Sequence, residues 1–222
     1  MSTVVAIDGP SGAGKSTVAR RVAAELGLEV LDTGAMYRAV TLAVLDAEVD
    51  PTDGDACAKI AGRVQIEQLG PQTLLDGRDV SVEIRSPRVD ATVSTVSAHP
   101  GVRRVLVDHQ RSWVDGHGGG GVVEGRDIGT VVFPDAVVKV FLTASEAERA
   151  RRRRDEADAG AAVSVETVRE DLGRRDHLDS TRAASPLAAA ADAMRIDTTG
   201  RPVDDVVGEI VEQVRARTGA AR

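Results

Sequence analysis

One run near the start of the chain combines glycines with a lysine and a hydroxyl residue: Gly9-Pro10-Ser11-Gly12-Ala13-Gly14-Lys15-Ser16. It matches the pattern G-x-x-x-x-G-K-[ST], in which glycines let backbone N–H groups converge on phosphate oxygens. A lysine placed like Lys15 reaches the β- and γ-phosphates, and a hydroxyl placed like Ser16 takes part in binding Mg²⁺, partly through water. The run therefore predicts a site for a nucleoside triphosphate with Mg²⁺, formed by Gly9, Pro10, Ser11, Gly12, Ala13, Gly14, Lys15, Ser16 and Thr17.

The flanking residues distinguish this prediction from the alternative, a simple glycine turn with an exposed lysine. Residues 3–8 are apolar and β-branched, which predicts a strand, and a helical pattern over 15–26 follows the turn. A phosphate-binding loop needs a strand before it and a helix after it, because the helix N-terminus contributes a positive partial charge. The context therefore favours phosphate binding.

Two features that are absent or weak in the sequence argue against GTPases and P-loop motors. It contains no asparagine, whereas GTPases that read guanine use an Asn-Lys-x-Asp segment. P-loop motors pair the loop with an apolar strand that ends in an acidic residue. The nearest candidate for such a strand, residues 122–124, is a weak match. These absences favour a kinase that acts on a small molecule.

Arginines recur at the ends of predicted elements, at Arg38, Arg103, Arg126, Arg175 and Arg182. Each one alone is typical of a solvated surface. Together they would gather at the carboxyl edge of an α/β sheet, where ligands of such sheets bind. Guanidinium groups grip phosphate with two parallel hydrogen bonds, so the set indicates an acceptor that itself carries a phosphate.

The composition excludes other classes of protein. The 222 residues carry a formal net charge of -7 and 2% aromatic residues, unlike general nucleic-acid-binding proteins. Cys57 is the only cysteine, which excludes an internal disulfide and a cysteine zinc cluster. The sequence has no apolar run of about 18 residues and no basic flank typical of an export signal. We expect a cytoplasmic monomer without nucleic-acid or membrane partners.

Hydrophobic patterning predicts a parallel α/β core with an insertion. The predicted strands span residues 3–8, 29–31, 121–124, 137–143 and 194–197. The predicted helices span residues 15–26, 33–48 (capped by Thr33), 100–113, 145–157 (ended by Gly160), 165–175 and 203–217. Within residues 50–98 the stretches 63–68 and 73–84 alternate apolar and polar side chains, and Asp76-Gly77 is a hairpin turn signal. This segment therefore predicts a small antiparallel sheet.

Further segments carry a resemblance to a known family. They are Leu31-Asp32-Thr33-Gly34-Ala35-Met36-Tyr37-Arg38, Glu83-Ile84-Arg85, Glu124-Gly125-Arg126-Asp127-Ile128-Gly129-Thr130-Val131-Val132-Phe133-Pro134, and Arg175-Asp176 with Asp179 and Arg182. With these segments and the phosphate loop, the chain resembles bacterial cytidylate kinases from end to end. The resemblance implies a kinase of pyrimidine metabolism that phosphorylates CMP and dCMP with ATP and Mg²⁺. Two alternatives remain: a P-loop kinase for UMP, AMP, dTMP or shikimate, and a binding protein that uses ATP only to change shape.

The resemblance also implies a fold and its division into parts. The fold would be a P-loop three-layer α/β fold with a central parallel sheet, an inserted nucleoside-monophosphate-binding subdomain with a small antiparallel sheet, and a short lid. The core would comprise residues 1–33, 103–150 and 173–222. The insertion would comprise residues 34–102 and the lid residues 151–172.

Residue roles implied by the resemblance divide the substrate into three parts. Arg38, Arg126 and Arg182 would hold the CMP phosphate with help from Thr33. Ser94, Arg103 and Asp127 would read cytosine, whose N4 amino group donates to carboxylates, and Arg175 and Asp179 would contact the ribose. For Asp127 the alternative is a helix cap beside Ile128.

The expected catalytic set is Lys15, Arg126, Arg152, Arg153 and Arg182. Arg149 and Arg151–Arg154 are the candidates for the arginines of the lid, and Arg152 and Arg153 match the family best. The alternative for this run is a charged helix face, since acidic residues follow directly at Asp155 and Glu156. Four consecutive arginines on a helix point to all of its sides, so at least one of them should have no role.

Overall fold

The fold is known from a computed structural model, which describes residues 3–156, 165–182 and 184–219. Its centre is a five-stranded parallel sheet with the order β2-β6-β1-β7-β8. The strands are β1 (Val4–Asp8), β2 (Val30–Asp32), β6 (Gly121–Gly125), β7 (Val138–Thr143) and β8 (Met194–Asp197). Each of these strands was predicted to within one residue at either end. The three inner strands, β6, β1 and β7, are easy to recognise because strands buried on both faces of a parallel sheet are almost continuous apolar runs.

Helices cover both faces of this sheet, which gives three layers. On one face α1 (Lys15–Leu26) and α8 (Val203–Thr218) pack against Val5 and Ile7 of β1. On the other face α2 (Thr33–Asp46) and α5 (Pro100–Gly116) pack against Val4 and Ala6. Successive side chains of a strand point to opposite faces, so β1 contributes to both cores. The expected three-layer α/β fold is confirmed.

An insertion lies between β2 and β6. After α2 come α3 (Gly54–Ala61), a three-stranded antiparallel sheet and α4 (Pro87–Ala98), followed by α5. The sheet consists of β3 (Ile66–Leu69), β4 (Gln72–Leu75) and β5 (Arg78–Asp79), in that order. A separate apolar core between this sheet, α2 and α4 holds the insertion together.

The hairpin prediction for the insertion is partly right. Asp76 and Gly77 form the turn between β4 and β5, both with positive φ (50° and 78°), as a two-residue hairpin turn requires. The alternating stretch 73–84 is not strand throughout, because that turn divides it and the strand structure ends at Asp79. The Asp79 carboxylate accepts hydrogen bonds from the amide and hydroxyl of Ser81 (2.9 and 2.6 Å), which turns the chain away from the sheet.

Two helix predictions also need correction. The cap of α2 is Asp32 rather than Thr33, since the Asp32 carboxylate accepts from the Ala35 amide while the Thr33 hydroxyl donates to the carbonyl of Glu124. The helix predicted over 165–175 is α7 (Val165–Thr181), which is six residues longer. Its last turns are polar and face the functional cleft, so hydrophobic periodicity does not reveal them.

The predicted lid begins within α6. Helix α6 (Glu146–Glu156) matches the prediction in its described part, whereas Gly160, expected to end it, lies outside the described residues, as does the whole connection to α7. The insertion is joined to the core by Gln68, whose side-chain amide hydrogen-bonds to both the N–H and the C=O of Asp32 (2.9 and 2.6 Å).

Among the helices in the described ranges, none combines the length and apolar character needed to cross a membrane.

Candidate active site

The phosphate loop fits against its neighbours so closely that only glycine can occupy two of its positions. A Cβ added to Gly9 (φ 150°) would lie 2.2 Å from the carbonyl oxygen of Leu142 in β7. A Cβ added to Gly12 (φ 77°) would lie 2.9 Å from the carbonyl oxygen of Arg149 in α6. The glycines thus allow the loop to run directly between two elements that flank it.

Lys15 begins α1 and lies over the loop. Its Nζ donates to the Pro10 carbonyl at 2.8 Å, and the residue is buried. Burial and the nearby Arg126 guanidinium lower the pKa of Lys15, while the carboxylates of Glu124 and Asp8 act in the opposite direction. A phosphate ligand would add negative charge beside this ammonium group and favour its charged form.

A hydroxyl and a carboxylate meet beside Lys15. The Ser16 Oγ donates to Oε2 of Glu124 at 3.0 Å, joining the first turn of α1 to the end of β6. Burial, followed by the Asp32 carboxylate, raises the pKa of Glu124. Hard oxygen donors of this kind suit Mg²⁺, which normally keeps several waters and phosphate oxygens as its other ligands. The described residues contain no group of three acidic, histidine or cysteine side chains that could hold a metal alone, so a Mg²⁺ ion here needs such additional ligands.

Asp8, the last residue of β1, fixes the segment that follows β6. Its two carboxylate oxygens accept from the amides of Ile128 and Gly129, each at 2.8 Å. Burial raises the pKa of Asp8 to about 6, although those two hydrogen bonds act in the opposite direction. These bonds hold the helical turn 128–132 and thereby the position of Asp127.

A cleft of about 210 Å³ connects the phosphate loop with the arginine-rich side of the protein. The loop and α1 contribute one end of it: Ser11, Gly12, Gly14, Lys15, Ser16 and Thr17. All nine residues expected to bind CMP border the same cleft: Thr33, Arg38, Ser94, Arg103, Arg126, Asp127, Arg175, Asp179 and Arg182. Residues from α2, α4, α5, α7 and the end of β6 therefore converge on one space.

Asp127 lies in the buried part of this cleft with two arginines. Nη2 of Arg103 donates to Oδ2 of Asp127 at 2.5 Å, and Nη2 of Arg182 lies 3.6 Å from Oδ1. Arg103 also donates to the carbonyl of Ser97 and lies over the ring of Tyr37. The alternative role of Asp127 as a helix cap is wrong, because its side chain makes no capping hydrogen bond. The amides at the start of that turn bind Asp8 instead.

A second acidic residue, Asp179 of α7, contacts Arg126 and the same Arg182. It accepts from Nε of Arg126 at 2.9 Å and lies 3.7 Å from Nη1 of Arg182. Burial and the nearby Arg103 lower the pKa of Arg182, while Asp127 and Asp179 partly compensate. Two carboxylates thus hold three guanidinium groups at close range, which leaves a net positive charge for an anionic ligand.

The predicted lid arginines point in different directions. Arg153 borders the cleft, whereas Arg152 does not: its guanidinium donates to the hydroxyl and carbonyl of Thr198 (2.9 and 2.8 Å) and to Glu148. Arg151 and Arg154 are exposed and pair with acidic residues of their own helix, as expected for a charged helix face.

Arg149, also in α6, bonds Asp176 and the carbonyl of Ser11. It therefore connects α6 and α7 to the phosphate loop.

From the sequence alone, no role was assigned to several polar residues that lie around the cleft. Asp8 and Glu124 are the final acidic residues of apolar runs that form adjacent strands, a signal the sequence did contain. Asp176 accepts from the amide of Ser11 (3.3 Å) and from Arg149, so α7 also contacts the phosphate loop. Asp90 of α4 contacts three arginines and lies in no recognisable motif.

Comparison with known proteins agrees with this geometry. Residues 5–216 match the family described as cytidylate kinase. The cytidylate kinase of Mycobacterium leprae is 53% identical over 218 residues, which cover 98% of this chain and 97% of the relative. The cytidylate kinase of Pelotomaculum thermopropionicum is 50% identical, with 96% of each chain covered. An uncharacterized protein from Eubacterium ventriosum, known from its crystal structure, shares the fold (TM-score 0.54, 12% identity, 96% and 99% covered). The chain belongs to the cytidylate kinase family.

Proposed function

We propose that the protein transfers the γ-phosphoryl group of ATP to CMP and to dCMP, which yields ADP and CDP or dCDP. The observation that carries this proposal is the shared cleft, in which the phosphate loop faces the pocket around Asp127. Donor and acceptor phosphates bound in one cleft can meet in line, as direct transfer requires. The names of the relatives support cytidine as the nucleoside.

At the donor end the Lys15 ammonium and the backbone amides of residues 9–17, except that of Pro10, which has no N–H, bind the triphosphate. Ser16 and Glu124 would hold Mg²⁺, which when bound neutralises phosphate charge and orients the oxygens. The Lys15 Nζ, now bonded to the Pro10 carbonyl, is close enough to the loop to exchange this bond for one to a phosphate oxygen. This exchange restores full charge to the lysine at the place where negative charge accumulates.

At the acceptor end no general base is needed. A phosphate monoester has a second pKa near ~6, so the acceptor is largely a dianion at pH 7. Arg38, Arg126 and Arg182 hold this dianion with the Thr33 hydroxyl, and Arg153 approaches from α6. Catalysis then consists of positioning and charge neutralisation by Lys15 and the arginines. Arg152 takes part in catalysis when ATP binds and a phosphate oxygen replaces Thr198 as the partner of its guanidinium group.

Cytosine is selected by Asp127 and its neighbours. The carboxylate accepts from the N4 amino group, whereas uracil presents an oxygen at that position and would face a buried acceptor without a partner. Arg103 and Ser94 complete the base pocket, and Arg175 and Asp179 contact the ribose. Because Arg103 is bonded to Asp127 and to the Ser97 carbonyl, the base pocket is organised before the substrate enters.

The proposed division of labour follows the chain. The core (residues 1–33, 103–150 and 173–222) binds ATP, the insertion (34–102) binds the monophosphate, and the lid (151–172) covers the reacting phosphates so that water does not serve as acceptor. We further propose that the protein acts as a monomer in the cytoplasm, with no partner beyond its two nucleotides.

An assay of ADP formation with a panel of acceptors tests the proposal. Purified protein with Mg²⁺ and ATP is given CMP, dCMP, UMP, AMP, dTMP or shikimate, or no acceptor. The proposal predicts fast ADP formation with CMP and dCMP and slow formation in the other reactions. Preference for another acceptor would favour the alternative kinases, and slow hydrolysis that ignores every acceptor would favour a nucleotide-driven binding protein.

A further inference from the structure

Asp90 on α4 is the common partner of three arginines that come from three other helices. Its Oδ1 lies 2.6 Å from Nη2 of Arg38 in α2 and 2.8 Å from Nη2 of Arg175 in α7. Its Oδ2 lies 3.2 Å from Nη2 of Arg153 in α6. Arg175 additionally donates to the backbone carbonyl of Asp90 at 2.7 Å. One side chain therefore links the insertion, the lid helix and the core helix α7.

The carboxylate lies behind the arginines rather than in the space for a ligand. Arg38, Arg153 and Arg175 all border the cleft, whereas Asp90 does not. Its side chain is 25% exposed, and that of Arg38 is 14% exposed. Arg38 is held on its other terminal nitrogen by the carbonyl of Ile84 (2.9 Å). Asp90 thus contacts the arginines without occupying the place of a substrate phosphate.

The net charge of the three arginines and Asp90 suits a phosphate ligand. Three guanidinium groups at short range repel one another, and in the case of Arg38 burial together with Arg175 and Arg153 lowers the pKa. One carboxylate offsets a single positive charge of the three and leaves a net charge of about +2, which matches the dianion of a phosphate monoester. Arg38 and Arg175 also keep the pKa of Asp90 below its usual value despite its burial.

We propose that Asp90 is a positioning residue that sets Arg38 and Arg175 for the monophosphate substrate and makes the placement of the lid's Arg153 depend on the insertion. This inference rests on the proposed function, because it assigns the arginines to a monophosphate. Binding of the monophosphate adds its negative charge to the same cluster, where Arg153 already contacts Asp90, and so keeps α6 against the insertion.

The test is Asp90→Asn, which keeps the volume of the side chain and removes its charge. The matched control is Asp46→Asn, because Asp46 also pairs with two arginines of the insertion, Arg78 and Arg88, but does not border the cleft. For Asp90→Asn we expect KM for the monophosphate to rise about tenfold, as for the loss of hydrogen bonds to a charged group. KM for ATP should change less than about twofold, and Asp46→Asn should leave both constants within that range.

A second measurement distinguishes a loss of arginine positioning from a general disruption of the binding site. Calorimetric binding of CMP and cytidine is compared, because cytidine fills the same base pocket without a phosphate. We expect Asp90→Asn to weaken CMP binding at least about threefold more than cytidine binding. We also expect it to raise the ratio of phosphate released to CDP formed, because Arg153 no longer follows the insertion. Asp90→Glu, which keeps the charge, should recover part of the KM.

Several results would overturn the proposal. They are an unchanged KM, tighter CMP binding in Asp90→Asn (which would make Asp90 a competitor of the substrate), and equal losses for CMP and cytidine. If Asp90→Asn does not fold, Asp90→Ser, which also removes the charge, is measured in the same way, and a KM for the monophosphate equal to that of wild type contradicts the proposal. The kinetics use whichever monophosphate the acceptor panel identifies, so a failure of the CMP assignment is seen in wild type and is separate from a failure of the role of Asp90.

Discussion

Arg103 and Asp127 form an ion pair in the interior of the cleft, with 2.5 Å between Nη2 and Oδ2 and only about 5% of either side chain exposed. The two residues lie on different elements, α5 and the segment after β6. Each charge is buried, so either one would be costly in free energy without its partner. Their pairing leaves Oδ1 of Asp127 facing Arg182 at 3.6 Å. The carboxylate that we propose to read the base is therefore held in place by Arg103 without substrate.

Replacing Asp127 by asparagine should reduce the preference for CMP over UMP. The amide keeps the size of the side chain but loses the negative charge that accepts from the N4 amino group. We expect kcat/KM for CMP to fall about 10- to 100-fold, the range for a lost hydrogen bond to a charged group, and kcat/KM for UMP to fall less. Steady-state kinetics with both acceptors measures the ratio. A ratio equal to that of wild type would show that another group reads the base.

Replacing Lys15 by methionine should reduce turnover far more than CMP affinity. We propose that the ammonium group acts on the donor phosphates, and loss of one such electrostatic contact lowers kcat by about 10²–10³. Lys59→Met, at an exposed position of α3, is the matched control and should retain wild-type kcat. Calorimetry reports the Kd for CMP. Near-normal turnover of Lys15→Met would exclude the proposed mechanism.

Replacing Glu124 by glutamine should raise the Mg²⁺ concentration needed for half-maximal activity. Glu124 accepts from the Ser16 hydroxyl and supplies the negative charge beside it. Outer-shell partners of metal sites typically change metal affinity about 10-fold or more when mutated. The activity is titrated with Mg²⁺ at saturating ATP, with the exposed Glu25→Gln as control. Identical titrations for Glu124→Gln and wild type would remove Glu124 from the Mg²⁺ site.

The buried Asp8 should make stability fall as the pH rises from about 4 to about 6. Its pKa is raised from 3.8 to about 6, so in this window the folded protein binds more protons at Asp8 than the unfolded chain does. The stability present below pH 3.8 is lost as the pH passes about 6, by about 3 kcal/mol in total.

Urea unfolding of wild type and Asp8→Asn between pH 4 and pH 7 isolates this effect. The wild-type free energy of unfolding minus that of the variant should decrease by about 2 kcal/mol across the window, because part of the loss occurs below pH 4. A difference that stays constant or increases with pH would mean that the amides of Ile128 and Gly129 outweigh burial and keep Asp8 ionised.

The sequence by itself determined the features that depend on neighbours in the chain. The phosphate loop is one continuous run, and the three inner strands β6, β1 and β7 are short apolar segments, so both can be recognised without knowledge of the fold. The Asp76-Gly77 turn was equally local. The resemblance to a family then supplied roles for residues such as Asp127 and Arg182, which no periodicity marks.

Only the tertiary structure decided how polar side chains from distant segments pair. Asp8 bonds amides 120 and 121 residues away, and Asp90 lies 63 residues from Arg153 and 85 from Arg175. Hydrophobic patterning predicts which face of an element is buried, but a charged residue on a cleft-facing surface has the same local pattern as one in solvent. Its partner is set by the packing of whole helices, and for that reason α7 was predicted too short and Asp90 was not recognised.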